Sequence, residues 1–182
     1  INEKKLFHNL TFSLNSGDGL YIRGGNGSGK STLLRIIMGI TSPSKGLIEY
    51  SNQDLKISYL GHKNAIKNYL TPIQNLELLF DSSKLNIAFE WLNKLGLNKV
   101  QDELTGNLSF GQQKKLALIR VLAQSPDLII LDEPFVGLDS ITRDTLSSFL
   151  EKKLLDGTGL ILTSHINPSI QCKVLDLGAH NA

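Results

Sequence analysis

One glycine-rich run and one pair of carboxylates carry the strongest chemical signal in this chain. Gly24, Gly25, Asn26, Gly27, Ser28, Gly29, Lys30 and Ser31, followed by Thr32, form a G-x-x-x-x-G-K-S run. Glycines let the backbone bend until successive N–H groups face a single anion. A helix opening at Lys30 adds the positive end of its dipole. A lysine in that place reaches β- and γ-phosphates, and the Ser31 hydroxyl is a hard oxygen donor suited to Mg2+. The run predicts a phosphate-binding loop for a nucleoside triphosphate.

The second signal lies about a hundred residues on. Leu128-Ile129-Ile130-Leu131 is a short apolar run that ends in Asp132 and Glu133. In an open parallel sheet, ligands sit beyond the carboxyl ends of the strands, which puts both carboxylates beside the glycine loop. Asp132 is then expected to hold Mg2+ through its water shell, and Glu133 to polarise an attacking water as a general base. A third segment, Leu108-Ser109-Phe110-Gly111-Gln112-Gln113, precedes an apolar-periodic stretch. Ser109 can cap that helix, and Gly111 leaves its first N–H groups open to an anion.

Positioning these groups requires alternating strands and helices. Leu10, Phe12 and Leu14 alternate with polar residues, as in a half-buried strand. Residues 20–23 read as a buried strand entering the glycine loop, and 30–40 as a buried helix broken by Ser42-Pro43-Ser44-Lys45-Gly46. Residues 47–50 and 57–60 are further strand candidates. From Pro72 to about Leu104 the spacing is helical, with Gly96 as a stop after Leu95. Residues 112–124 predict another helix. Strands are then expected at 128–131, 160–163 and 174–177, with a helix over 140–155 between the first two. Such alternation predicts an α/β fold with a mostly parallel core sheet, an antiparallel N-terminal β portion and a helical insertion.

Bulk properties narrow the classes. The 182 residues suit one domain. A formal net charge of +2 gives no electrostatic argument for nucleic acid, and none is expected as a partner. Cys172 is the single cysteine, so an internal disulfide is excluded and a reducing compartment is expected. No apolar run approaches the roughly 20 residues of a bilayer span, and the first residues carry no leader-type apolar stretch. The chain opens at Ile1 rather than Met, and a few preceding residues are expected.

Taken in order, the motifs resemble the ABC ATPase family, a branch of the P-loop NTPases. The glycine loop resembles its Walker A motif. Residues 108–112 are similar to its LSGGQ signature, with Phe110 in place of the first glycine. Asp132 and Glu133 resemble Walker B and the catalytic glutamate. Gly137-Leu138-Asp139 is similar to the D-loop, and Thr163-Ser164-His165 to the switch-histidine segment. The resemblance covers residues 24–165 and implies one ATP-binding domain over 1–182, with a helical subdomain at about 63–125. It also implies a head-to-tail pair of chains. ATP would lie between the loop of one chain and Ser109, Gly111 and Gln112 of the other. Lys30, Glu133 and His165 would then act on the γ-phosphate.

Two departures from the family pattern stand out. After the strand at 57–60, the family carries a glutamine that senses Mg2+ and the membrane partner; here His62 takes that place and is the candidate third metal-site residue. Counting back from Gly24 to the family's adenine-stacking aromatic reaches Ile1. Tyr59-Leu60-Gly61-His62, with Lys67, Leu70-Thr71 and Asn75-Leu76, resembles the ATP-binding subunit of the haem exporter of cytochrome c maturation. That resemblance implies integral-membrane subunits and haem-handling proteins as partners. It also implies a peripheral position on the cytoplasmic face of the cell membrane. An exporter for another cargo, such as a drug or lipid, is the alternative. A non-transport ABC ATPase fits less well, because no sustained heptads separate Gly24 from Leu108.

Overall fold

The computed structural model describes residues 6–165 and 169–180. Its frame is set by short apolar runs that are buried on both faces. β1 (Gly19–Arg23) leads into α1 (Lys30–Ile37), and β2 (Ile57–Leu60) follows. Next come α2 (Pro72–Leu79), α3 (Ser82–Lys94) and α4 (Phe110–Leu122). β3 (Leu128–Asp132), α5 (Ser140–Leu155), β4 (Gly159–Thr163) and β5 (Lys173–Asp176) complete the order. The strands form one sheet in the order β2-β3-β4-β1-β5, and every pairing is parallel.

Side-chain alternation divides the core into two layers. Leu128 and Ile130 of β3 pack with Leu20, Ile22, Ile161 and the α1 residues Leu33, Leu34 and Ile37. Ile129 and Leu131 face the other way, against Leu60, Leu160, Leu162, α4 residues such as Leu118 and Ile119, and Leu146 and Leu150 of α5. A period of two in the strands thus meets helices on both faces, as buried parallel strands require. β1 sends its loop to α1 on one face, while β3 sends its loop to α5 on the other. The crevice at the strands' carboxyl ends therefore opens between these two connections.

Two strand expectations are corrected. Residues 10–14 and 47–50 join no ladder, and no antiparallel pairing occurs among the described residues. Leu10 and Leu14 instead pack, partly buried, against the α1 layer without a ladder partner, so burial alone accounts for their spacing. Leu47 is 75% exposed, which leaves that segment without an apolar face to anchor a strand. The helix beginning at Lys30 ends at Ile37 rather than Ile40. Gly39 has φ 69, and its N–H and that of Ile40 close onto Ile36 and Arg35 carbonyls, a glycine stop. The helical stretch after Pro72 is broken at Phe80, and Asp81 caps α3 through the N–H groups of Ser83 and Lys84. Gly96 ends α3 with φ 73. No described helix is long and apolar enough to cross a membrane.

Candidate functional site

The loop between β1 and α1 is shaped by its glycines. Gly27 has φ 78 and Gly29, the N-cap of α1, has φ 95, a region that side chains rarely adopt. A Cβ on Gly25 or Gly27 would meet nothing within 4 Å, so the outer wall of the loop is open. Gly25, Asn26 and Gly27 are exposed, whereas Ser28 and Lys30 are buried. The Lys30 ammonium donates to the carbonyls of Gly24 (2.8 Å) and Gly25 (3.2 Å), which holds it across the loop. The buried Ser28 Oγ has no hydrogen-bond partner among the described residues. Thr32 is half-buried in the first turn of α1.

Parallel register brings the acidic pair to this loop. Ser31 Oγ donates to Asp132 Oδ2 at 2.8 Å, bridging 101 positions of sequence. Asp132 Oδ1 accepts from Thr163 Oγ1 at 2.7 Å, because Asp132 and Thr163 are register partners of β3 and β4. Consecutive strand residues face opposite ways, yet both carboxylates serve the same end of the sheet. Glu133 achieves this with φ 52, a left-handed conformation costing about 1–3 kcal/mol in a non-glycine residue. Its N–H donates to both the Thr163 hydroxyl (3.0 Å) and the Thr163 carbonyl (3.2 Å), which fixes the turn.

Glu133 is 7% exposed. Its Oε2 accepts from the His165 N–H at 3.1 Å. Nε2 of the same histidine lies 3.4 Å from Oε1 but is not aligned to donate, so Oε1 is buried without a donor among the described residues. A buried carboxylate oxygen in that state has a lone pair to offer a water. The Tyr21 hydroxyl donates to the Ser164 carbonyl at 2.8 Å, holding the end of β4 to β1. A cavity of about 300 Å³ lies here, lined in part by Gly24, Gly25, Tyr21, Ser164 and His165.

Ser109, Gly111 and Gln112 are not brought to this cluster, and none of them hydrogen-bonds the glycine loop, Asp132 or Glu133. They build the N-terminus of α4. Gln112 N–H donates to Ser109 Oγ (3.3 Å), and Ser109 N–H donates to Gln112 Oε1 (2.8 Å), a reciprocal capping box. Gly111 has an added reason to be glycine: a Cβ there would stand 2.8 Å from the Gly137 carbonyl oxygen.

His62 is exposed just past β2 and makes no hydrogen bond with either carboxylate. No group of three or more histidine, cysteine or acidic residues suited to a metal occurs among the described residues. The oxygen donors that converge are Ser31 and Asp132, a set fitted to Mg2+, which keeps most of its water and takes few protein ligands. Ile1 lies outside the described residues.

Two site residues, Tyr21 and Lys114, escaped sequence reasoning, and so did the tie made by Thr163, which enters the sequence reading only as part of the switch-histidine segment. Thr163 ties Asp132 to Glu133, and Tyr21 ties β4 to β1, but only the register reveals either. Lys114 is 2% exposed on the inner face of α4. Burial holds its ammonium below the ordinary lysine range, while the Asp132 and Glu133 carboxylates pull the other way. The burial of one lysine in a helix that also carries Lys115 has no compositional signature.

Comparison with known proteins decides the class. The family model described as ABC transporter matches residues 7–136. The chain belongs to the ABC transporter family. It is an ATP-binding ATPase chain of that family. A cytochrome c biogenesis ATP-binding export protein, CcmA, of Idiomarina loihiensis is 39% identical over 171 residues, covering 88% of this chain and 78% of the relative. Among solved structures, a dimeric bacterial ABC transporter cassette, MJ0796, superposes with TM-score 0.82 at 25% identity, covering 98% of this chain and 90% of that one. A post-hydrolysis dimer of the same cassette bound to ADP and Pi superposes with TM-score 0.75 at 26% identity, over 88% and 80% of the two chains.

Proposed function

We propose that two copies of this chain hydrolyse Mg-ATP at shared sites and that the cycle drives an export complex serving cytochrome c maturation. The observation that carries the catalytic part is the buried Oε1 of Glu133, without a donor among the described residues, while Oε2 of the same carboxylate is held by the His165 N–H at the end of β3. In this reading Glu133 takes a proton from water as the water attacks the γ-phosphorus and ADP departs. Lys30 turns from the loop carbonyls to the β- and γ-phosphates. His165 uses its ring on the γ-phosphate and its N–H on Glu133. Ser31 and Asp132 hold Mg2+, which neutralises phosphate charge when bound. Thr163 keeps Asp132 and Glu133 in fixed relation.

The separation of Ser109, Gly111 and Gln112 from the glycine loop supports pairing, since one chain then holds two half-sites. The dimeric form of the solved cassette supports the same reading. The name of the Idiomarina loihiensis relative supports the cytochrome c system, and the resemblance over Tyr59 to Leu76 supports its haem exporter as the complex served. Residues 63–125 act as the helical subdomain of a single ATP-binding domain. They would face integral-membrane subunits at the cytoplasmic surface of the membrane, with haem-handling proteins beyond them.

Complementation tests the shared site. Lys30→Ala chains and Ser109→Arg chains are each expected to lack turnover, and Ser109→Arg is expected to bind ATP normally. Mixing the two restores one intact site per mixed pair, so activity should reappear. Mixtures as inactive as their parents would overturn the shared site. In the same assay Glu133→Gln should bind ATP, pair and turn over far more slowly; wild-type turnover would exclude Glu133 as the base.

A further inference from the structure

The signature segment and the turn after Glu133 touch at one glycine. Residues 133–139 leave β3, with Phe135 and Leu138 buried in the core and Val136 and Gly137 at an exposed tip. Leu138 N–H closes the turn on the Phe135 carbonyl at 3.3 Å, and Gly137 takes φ 79. A Cβ built on Gly137 would fall 2.5 Å from both Cδ1 and Cε1 of Phe110, so the ring lies directly on the glycine backbone. On the same side, the Gly137 carbonyl comes close enough to Gly111 to forbid a side chain there. Two residues on, Asp139 pairs with Lys115 of α4 at 2.6 Å and caps α5 through the Thr142 N–H. The turn is thus gripped by α4 at three successive points: Phe110, Gly111 and Lys115.

Phe110 is the part of this grip that departs from the family's signature pattern. It remains 55% exposed, so core burial does not account for an aromatic residue at this place. We infer that Phe110 is a positioning residue: its ring, laid on Gly137, locks the turn that follows Glu133 to the N-terminus of α4. An anion seated on Ser109 and Gly111 would then steady Glu133 of the same chain. This last step rests on the shared-site reading above; the lock itself does not. No group in the lock touches the reacting atoms, and its effect reaches the chemistry only through the backbone of residues 133–137.

The test compares Phe110→Ala and Phe110→Leu in the full chain, using ATP affinity of the isolated chain, kcat, KM and amide exchange over residues 135–139. Phe110→Ala is expected to leave ATP affinity within about twofold and to lower kcat by about tenfold through loosened positioning. It should also speed exchange at the turn. Phe110→Leu, which still covers Gly137, should recover most of both effects. Gly137→Ala gives a second readout. It should slow turnover more in the native chain, where the new methyl meets the ring, than in Phe110→Ala, where only backbone strain remains. Exchange unchanged by Phe110→Ala overturns the lock, whatever happens to kcat. If native turnover proves independent of chain concentration, the shared site fails; faster exchange in Phe110→Ala would still uphold the lock.

Discussion

Thr163 offers the most direct measure of how the site is held together. It is fully buried, and its hydroxyl donates to Asp132 Oδ1 at 2.7 Å while accepting from Glu133 N–H at 3.0 Å. Thr163→Val keeps the shape and removes the hydroxyl. The bond to Asp132 is charge-assisted, so its loss costs about 1.5–3 kcal/mol, with Asp132 left short of one donor. The Glu133 N–H retains the Thr163 carbonyl at 3.2 Å, and its share of the loss is about 0.5 kcal/mol. Together these come to about 2–3.5 kcal/mol. Thr163→Ser keeps the hydroxyl and loses one buried methyl, a cost of about 1 kcal/mol. Urea unfolding can be followed by the single tryptophan, Trp91, which packs edge-on against Phe149 of α5 at 5.5 Å. With a urea slope of about 2 kcal/mol/M, the valine midpoint should fall by about 1 to 1.75 M and the serine midpoint by about 0.5 M. Valine at least as stable as serine, at equal slope, would refute the view that this hydroxyl holds the two carboxylates together.

Two further predictions concern protonation. Lys115, then the Thr142 N–H, hold the Asp139 carboxyl well below the usual carboxylate range. A depressed carboxylate stabilises the fold above its ordinary value of 3.8 and loses that contribution as pH falls through the folded value. Because the side chain is half exposed, Asp139→Asn should cost only about 0.5–1 kcal/mol near pH 7. The gap between variant and native should narrow below about pH 4; a gap that widens in acid would contradict the assignment. Burial pushes the Cys172 thiol up to about 11, and a Cβ on Gly19 would lie 2.7 Å from its sulfur. Alkylation at pH 8 should therefore run about a hundredfold slower in the folded chain than in urea, and similar rates would show that the thiol is open.

Much of this fold was legible because apolar spacing and helix punctuation agreed. β2 and α5 fall on their expected bounds, and Gly96 stops α3 as its position suggests. That the glycine loop and the Asp132–Glu133 pair meet at one end of the sheet was legible, because a loop and a strand end of those residue types are expected to share a crevice in a parallel sheet. Residues 10–14 misled because alternation reports a buried face and not a ladder partner. In the Ser31–Asp132–Thr163 chain the Thr163 link was hidden, because the chain joins α1, β3 and β4, whose neighbourhood no local pattern encodes. Gly111 was legible as an open helix end, but its close approach to Gly137 depends on how α4 meets a loop from another strand.

The buried ammonium of Lys114 has a consequence for the helix that carries it. An enclosed lysine, whose ammonium burial disfavours and the Asp132 and Glu133 carboxylates favour, acts as a key in the wall of the core. Turning α4 about its own axis would carry that charge among Leu116, Leu118 and Ile119, where nothing compensates it. Rolling of α4 about its own axis is therefore expected to be costlier than tilting with the sheet, and Phe110, the exposed residue of its first turn, stands on a helix whose rotation is opposed from within the core.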